Sequence, residues 1–260
     1  MRLTPILLGF MISLAGSQAT AACGSPQQYQ IIPVAASGPG AQGSFWTTAV
    51  WLSDAGPVSG QPNTVQAFAV DALSGYTEYT RDYTVPPGGT VEAADLIGDL
   101  GLPQGRTFWV YLMGTSPFYV NARIYTTEPG GSGTYGQHIP VAYEDQGMGQ
   151  GETVVFPVPL DYSRTRVNVG FTYGNAMTTR LRVRVIAGDG TELSAQTVTL
   201  GNSESVQLNG VNAGMIGTAA GKVVIEALDD TGEDLFPYVS VADMTTSDPM
   251  FLFYHTPCLP

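Results

Sequence analysis

Apolar and polar residues alternate along most of this chain, in short runs broken by glycine and proline. Val50 and Leu52 stand two apart within Thr48–Ser53, and Val167, Val169 and Phe171 repeat that spacing within Val167–Thr172. A period of two places every second side chain on one face of a strand, so each run predicts a strand with one buried face. By the same parity, Trp51 takes the outward position that Gly170 takes in the later run. Val65–Val70 and Arg180–Ile186 come next and also alternate. Turns follow at Asp71–Gly75 and Ala187–Gly190, the second with an Asp-Gly hairpin signal. Strands are then expected at Tyr79–Val85 and Ser194–Leu200, ended by Pro86-Pro87-Gly88-Gly89 and Gly201-Asn202.

The later segments keep the same order in both series. Val91–Leu100 and Val206–Ile216 are weakly helical, and each reads as a short turn capping a sandwich. Two longer strands close each series: Phe108–Met113 with Phe118–Tyr125, then Lys222–Leu228 with Tyr238–Met244. Tyr119-Val120 and Tyr238-Val239 are read as being in register. A short phrase also recurs. Gln30-Ile31-Ile32-Pro33-Val34-Ala35 reappears as Gln137-His138-Ile139-Pro140-Val141-Ala142, and self-similarity of this kind signals a repeated unit. His255-Thr256-Pro257 echoes the same ending. Proline cannot donate to a sheet ladder, so Pro33, Pro140 and Pro257 are expected at strand starts, edges or bulges.

About seven short strands per unit, without long helices, predict an all-β chain of two tandem immunoglobulin-like β-sandwich domains, residues 23–136 and 137–260. Neither unit has the internal Cys…Trp…Cys of antibody domains. Ile-Pro-Val-Ala, a glycine-rich stretch and Phe45-Trp46-Thr47-Thr48 leading into an alternating strand resemble tandem sandwich repeats in secreted bacterial proteins of unknown function. That resemblance covers most of the chain and implies no catalytic residue.

The start of the chain reads as a secretory signal over residues 1–22. Arg2 precedes an apolar run, Ile6–Leu14, and the small residues Ala19-Thr20-Ala21-Ala22 suit cleavage. The run is too short to span a bilayer, and no later stretch approaches ~20 apolar residues, so no transmembrane span is expected in the mature chain. The expected location is secreted, periplasmic or cell-surface. There Cys23 and Cys258 could form a disulfide tying together distant parts of the chain. Lipid attachment at Cys23 and free thiols are the other readings.

A formal charge of −12 argues against nucleic acid and anionic membranes as partners. Five cations gather at Arg164, Arg166, Arg180, Arg182 and Arg184. The last three alternate with Leu181, Val183 and Val185, so they share one strand face. Pairing with the strand of Arg166 would make a basic stripe for an anionic glycan or an acidic protein surface. The plainer reading is a solvated face that keeps an edge strand from pairing with other chains. Trp46, Trp51, Tyr76, Tyr79 and Tyr83 gather in the first unit, where outward rings could stack on sugars or anchor a protein. Trp51 is the foremost of these.

The signals for catalysis are few. Both histidines, His138 and His255, occupy the recurring phrase, which favours a structural role. Gly-x-Ser-x-Gly, zinc-type His/Cys spacing, a phosphate loop and a dinucleotide fingerprint are all missing from the sequence. The acidic run Asp229–Asp234 could hold calcium, but its spacing fails the EF-hand pattern. No cofactor is expected. The sequence therefore predicts an exported, non-enzymatic protein for extracellular interaction with a protein or glycan, or for surface structure. A secreted carbohydrate-binding module or glycan-active hydrolase is the alternative, since paired carboxylates are defined only in space. A deep pocket with converging carboxylates would favour the alternative, and open faces and exposed edges the first reading.

Overall fold

Alternation becomes strand almost everywhere in the computed structural model, which describes residues 26–39, 44–58, 60–72, 74, 77–127, 134–143, 146–175, 177–245 and 249–254. Residues 1–22, expected to be a signal, and Cys23, Tyr76, His255, Pro257 and Cys258 lie outside the described residues. The strands are β1 (Gln27–Ala36), β2 (Gly38–Pro39), β3 (Phe45–Asp54), β4 (Asn63–Asp71), β5 (Thr77–Val85), β6 (Thr90–Ala93), β7 (Thr107–Thr127) and β8 (Thr134–Ile139). They continue as β9 (Thr153–Val158), β10 (Thr165–Tyr173), β11 (Thr179–Ala187), β12 (Glu192–Leu200), β13 (Ser205–Leu208), β14 (Gly221–Ala227), β15 (Leu235–Asp243) and β16 (Pro249–Phe253). A four-residue helix, α1 (Leu96–Asp99), is capped by Asp95, whose carboxylate accepts from the Gly98 amide. Of the two weakly helical stretches, the first begins as β6 and holds α1. The second begins as β13 and continues as turns, with positive φ at Gly210, Gly214 and Gly217.

All the sheet pairings are antiparallel. In the second half of the chain two sheets run β12-β11-β14-β9 and β13-β10-β15-β16. The first half has the same order, fused into one sheet by β7. The start of β7 pairs with β1 and β4, and its end pairs with β3 and β8. The layers therefore read β5-β4-β7-β1 and β6-β3-β7-β8, with β2 added on β3. The sequence divides this strand into Phe108–Met113 and Phe118–Tyr125, whereas the structure carries it through as one. Gly114 permits the sharp passage, since a Cβ there would lie 2.6 Å from the Ser116 carbonyl oxygen and 2.7 Å from Phe118. In the second half residues 228–234 separate the matching strands, β14 and β15. In an immunoglobulin domain the last two strands, F and G, belong to one sheet. Here the corresponding strands lie in opposite layers.

Pairing also corrects two sequence alignments. Ala69 faces Val110, which faces Ile32; Val185 faces Val223, which faces Phe156. The counterpart of Ile31-Ile32-Pro33-Val34 is thus Val155-Phe156-Pro157-Val158 in β9. Gln137–Ile139 belongs instead to β8, in the opposite layer. Pro33 sits at a register shift of β1, as expected of a residue without an N–H, and Pro140 lies just past β8. The final strands are offset by two from the reading above, because Trp51 faces Asn121 while Gly170 faces Tyr238. A division at residues 136 and 137 passes through β8.

Each half encloses its own apolar core. Leu52, Leu112, Phe108 and Phe118 fill the first, and Phe171, Tyr173, Leu181 and Val239 the second. A third cluster, of Ile31, Val70, Trp109, Ala142 and Phe236, joins the halves. Its residues on β1, β4, β7 and β15 are the outward ones by parity. Through Phe236 it covers part of the outward face of β15, which, like β10, is buried on both faces.

Candidate functional site

The seam between the halves is built from backbone groups that strand bends leave free. On the first half's side of it, Ile31 and Ala142 exchange two hydrogen bonds of 2.8 Å each. The register shift in β1 frees the Pro33 carbonyl, which accepts from the buried Thr172 hydroxyl at 2.6 Å. Thr172 Oγ1 in turn accepts from Ser205 Oγ at 3.2 Å. The Trp109 indole N–H donates to the Ser203 carbonyl at 3.2 Å, and the Ser205 amide to the Ala72 carbonyl at 3.1 Å.

Along this seam opens a cleft of about 530 Å³. Pro33, Trp46 and Arg106 line it from the first half, and Gln207, Asn209 and Tyr238 from the second. The Tyr238 hydroxyl donates to Gln207 Oε1 at 3.2 Å, and Gln207 Nε2 donates to Asn209 Oδ1 at 2.7 Å. Tyr238 stacks on Phe251 at 4.8 Å, and its burial pushes its hydroxyl pKa well above the usual value. Arg106 pairs with the buried carboxylate of Asp71, which neutralises it. Among the described residues no carboxylate lines the cleft. Rings and amides of this kind can hold an uncharged polar molecule, but the lining offers no carboxylate pair for acid–base work.

The residues singled out in the sequence are scattered. Arg180, Arg182 and Arg184 do share the outer face of β11, but β11 lies between β12 and β14, so it is not an edge strand. Arg166 is on β10 in the other sheet, and β10 does not pair with β11. The stripe is therefore three residues long, and neighbouring strands answer it with carboxylates. Arg180 makes a bidentate pair with Asp229, 2.8 Å at each contact. Arg184 lies 4.0 Å from Glu192, and Arg182 faces Glu226. The Arg180 guanidinium holds the Asp229 carboxyl below the usual range. These carboxylates stand 8, 44 and 49 positions from their arginines in sequence and could not be placed beside them from strand parity alone.

Trp51 is half-buried on β3 and lies outside the cleft. Trp46 does line it, and Tyr83 is buried. His138 is exposed on β8, in a setting unlike that of the buried Ile31. In the acidic loop, Asp229 is engaged by Arg180 and Asp230 accepts from the Gly232 amide at 3.0 Å. Among the described residues no three of His, Cys, Asp and Glu form a metal-binding group. The cleft escaped the sequence reading because its walls come from both halves. β9 also escaped it, although Val154, Phe156 and Val158 alternate plainly with Thr153, Val155 and Pro157.

No family model matches this chain, and none of the curated proteins compared with it matches. Among solved structures there are distant likenesses. The VP2 subviral particle of infectious bursal disease virus is 10% identical, over 89% of this chain and 68% of that one, with a TM-score of 0.22. A glycosyl hydrolase family 2 member from Bacteroides cellulosilyticus DSM 14838 is 12% identical, over 81% of this chain and 28% of that one, with a TM-score of 0.17. Scores this low carry no argument about fold or function.

Proposed function

We propose that this chain is an exported, non-enzymatic protein for extracellular interaction or surface structure. In this reading residues 1–22 direct export, and two tandem domains of immunoglobulin-like sandwich architecture follow, of the kind repeated in secreted bacterial proteins of unknown function. The observation that supports it is the joining of two like-ordered halves through the Thr172–Pro33 and Ser205–Ala72 hydrogen bonds, leaving broad strand faces and, among the described residues, open sheet edges outward. The test is incubation of the purified chain with the surface fraction of its native cells and with a glycan panel. Retention on a surface component without turnover of any glycan is expected. Hydrolysis of a glycan would overturn the reading. In an export compartment Cys23 and Cys258 would be joined, so alkylation should add mass only after reduction. A diacylglyceryl mass on Cys23 would replace the disulfide with a lipid anchor.

A second reading, as a carbohydrate-binding module, is favoured by the cleft, which Trp46 and the hydrogen-bonded amides of Gln207 and Asn209 line together. Glycan binding that disappears in Trp46→Ala would select it.

A further inference from the structure

Edge strands invite pairing with other chains, and prolines, charges or short length commonly prevent it. In the second half β9 and β16 each contain a proline, Pro157 and Pro249, and β13 is four residues long. β12 has none of these devices. Among the described residues it pairs on one side only, with β11, and from Leu193 to Leu200 it holds no proline and no ionisable side chain. β5 has the matching place in the first half, and there the exposed Arg81 and Asp82 put a charge on each face. β12 is also uncovered, since Glu192–Thr197 are exposed on both faces. Ser194 and Gln196 pair with the buried Val185 and Val183, yet the opposite sheet does not reach over them. The Arg180 carbonyl accepts from the Leu228 amide, so the backbone of Arg180 faces β14 and that of Leu181, Val183 and Val185 faces β12. Their partners Val198, Gln196 and Ser194 point back, which leaves the N–H and C=O of Ala195, Thr197 and Thr199 on the outer edge.

We propose that the outer edge of β12 pairs antiparallel with β12 of a second copy of this chain, Thr197 opposite Thr197 about a two-fold axis. Ala195 of each copy then meets Thr199 of the other. All three pairs bring outward N–H and C=O groups together, and each exchanges two hydrogen bonds, about six in all. Charge selects a second copy at this edge. The chain carries a net −12, and a surface of that sign repels its like. Along β12 the facing runs Leu193–Leu200 oppose no ionised side chain. Arg182 faces Thr197, so the Arg182 residues of the two copies sit on strands about 14 Å apart, beyond the ~8–10 Å reach of a surface charge in salt. Thr197 against Thr197 also makes a favourable cross-strand pair. The assembly closes at two copies, because each contributes the same edge and that edge is then used up. This inference is independent of what the cleft binds.

Sedimentation of the full-length chain over a concentration series tests it. A reversible dimer is expected, and a chain that stays monomeric up to about 1 mM would overturn the proposal. Thr197→Lys sets two like charges against each other at the axis and should weaken dimerisation roughly tenfold or more. Its unfolding midpoint in urea should not change, because Thr197 is exposed. Thr197→Glu should act alike, and mixing the two variants should restore the dimer, since position 197 meets itself. A dimer indifferent to Thr197→Lys, or a mixture no tighter than either variant alone, would overturn the proposal. Amide exchange in the parent needs no variant. The amides of Ala195, Thr197 and Thr199 should gain protection as concentration rises. Rates that do not change with concentration would overturn the proposal, and slow ones would point to a cover from the same chain.

Discussion

Tyr238 lies directly against Gly170 across the β10–β15 ladder, so closely that a Cβ on Gly170 would fall 1.9 Å from the ring carbon Cζ. The first half places Trp51 and Asn121 at the same two positions. Each half thus has one large aromatic residue at this pair of positions, carried on opposite strands. Glycine in a strand interior commonly marks such a close approach.

Gly170→Ala should therefore overpack the pair and cost about 1–3 kcal/mol, read as a lower midpoint in urea unfolding. Adding Tyr238→Ala removes the ring that the new methyl meets. The double variant should lose less than the sum of the two single losses. Strictly additive losses would mean that the ring does not cover Gly170 in solution.

Thr172→Val keeps the volume but leaves the Pro33 carbonyl without its donor in a buried seam. A loss of about 1–3 kcal/mol is expected in the same assay. A variant as stable as the parent would remove this hydrogen bond from the account of how the halves are joined.

Changing Arg180, Arg182 and Arg184 together to Ser should leave the fold in place, because all three point outward from β11. Without Arg180 the Asp229 pKa should rise toward its ordinary value, which NMR titration reads directly. The depressed carboxyl of Asp229 contributes stability above its unfolded pKa, and that contribution fades as pH falls through the folded value. If this face also meets an acidic partner, attachment should weaken in the triple variant and at high salt. Attachment indifferent to both would mark the row as ordinary solvated surface.

Alkaline pH probes the first core. Burial pushes the Tyr83 hydroxyl up to about 12 from an ordinary value of 10.0. The folded state thus holds this proton more tightly than the unfolded chain does. The resulting stability is complete below pH 10.0 and drains away as pH rises toward about 12. Tyr83→Phe should flatten part of that decline, measured as unfolding midpoints between those pH values. An identical alkaline profile in the variant would place the sensitivity elsewhere.

Strand parity, turn positions and the equivalence of Trp51 with Gly170 follow from sequence alone, because alternation is a local property of extended backbone. The exposure of Arg180 and Arg182, set against the burial of Leu181 and Val183, follows for the same reason. What parity cannot supply is the partner of each strand. Only tertiary structure joined β7 across Gly114, matched Pro33 with Pro157 rather than Pro140, and brought Asp229, Glu226 and Glu192 to the arginine row. The burial of Thr172, Phe236 and Tyr238 on outward positions was likewise decided by the other half of the chain. Those positions are chosen by contacts between residues far apart in sequence, and a period of two says which face a side chain takes but not what will cover it.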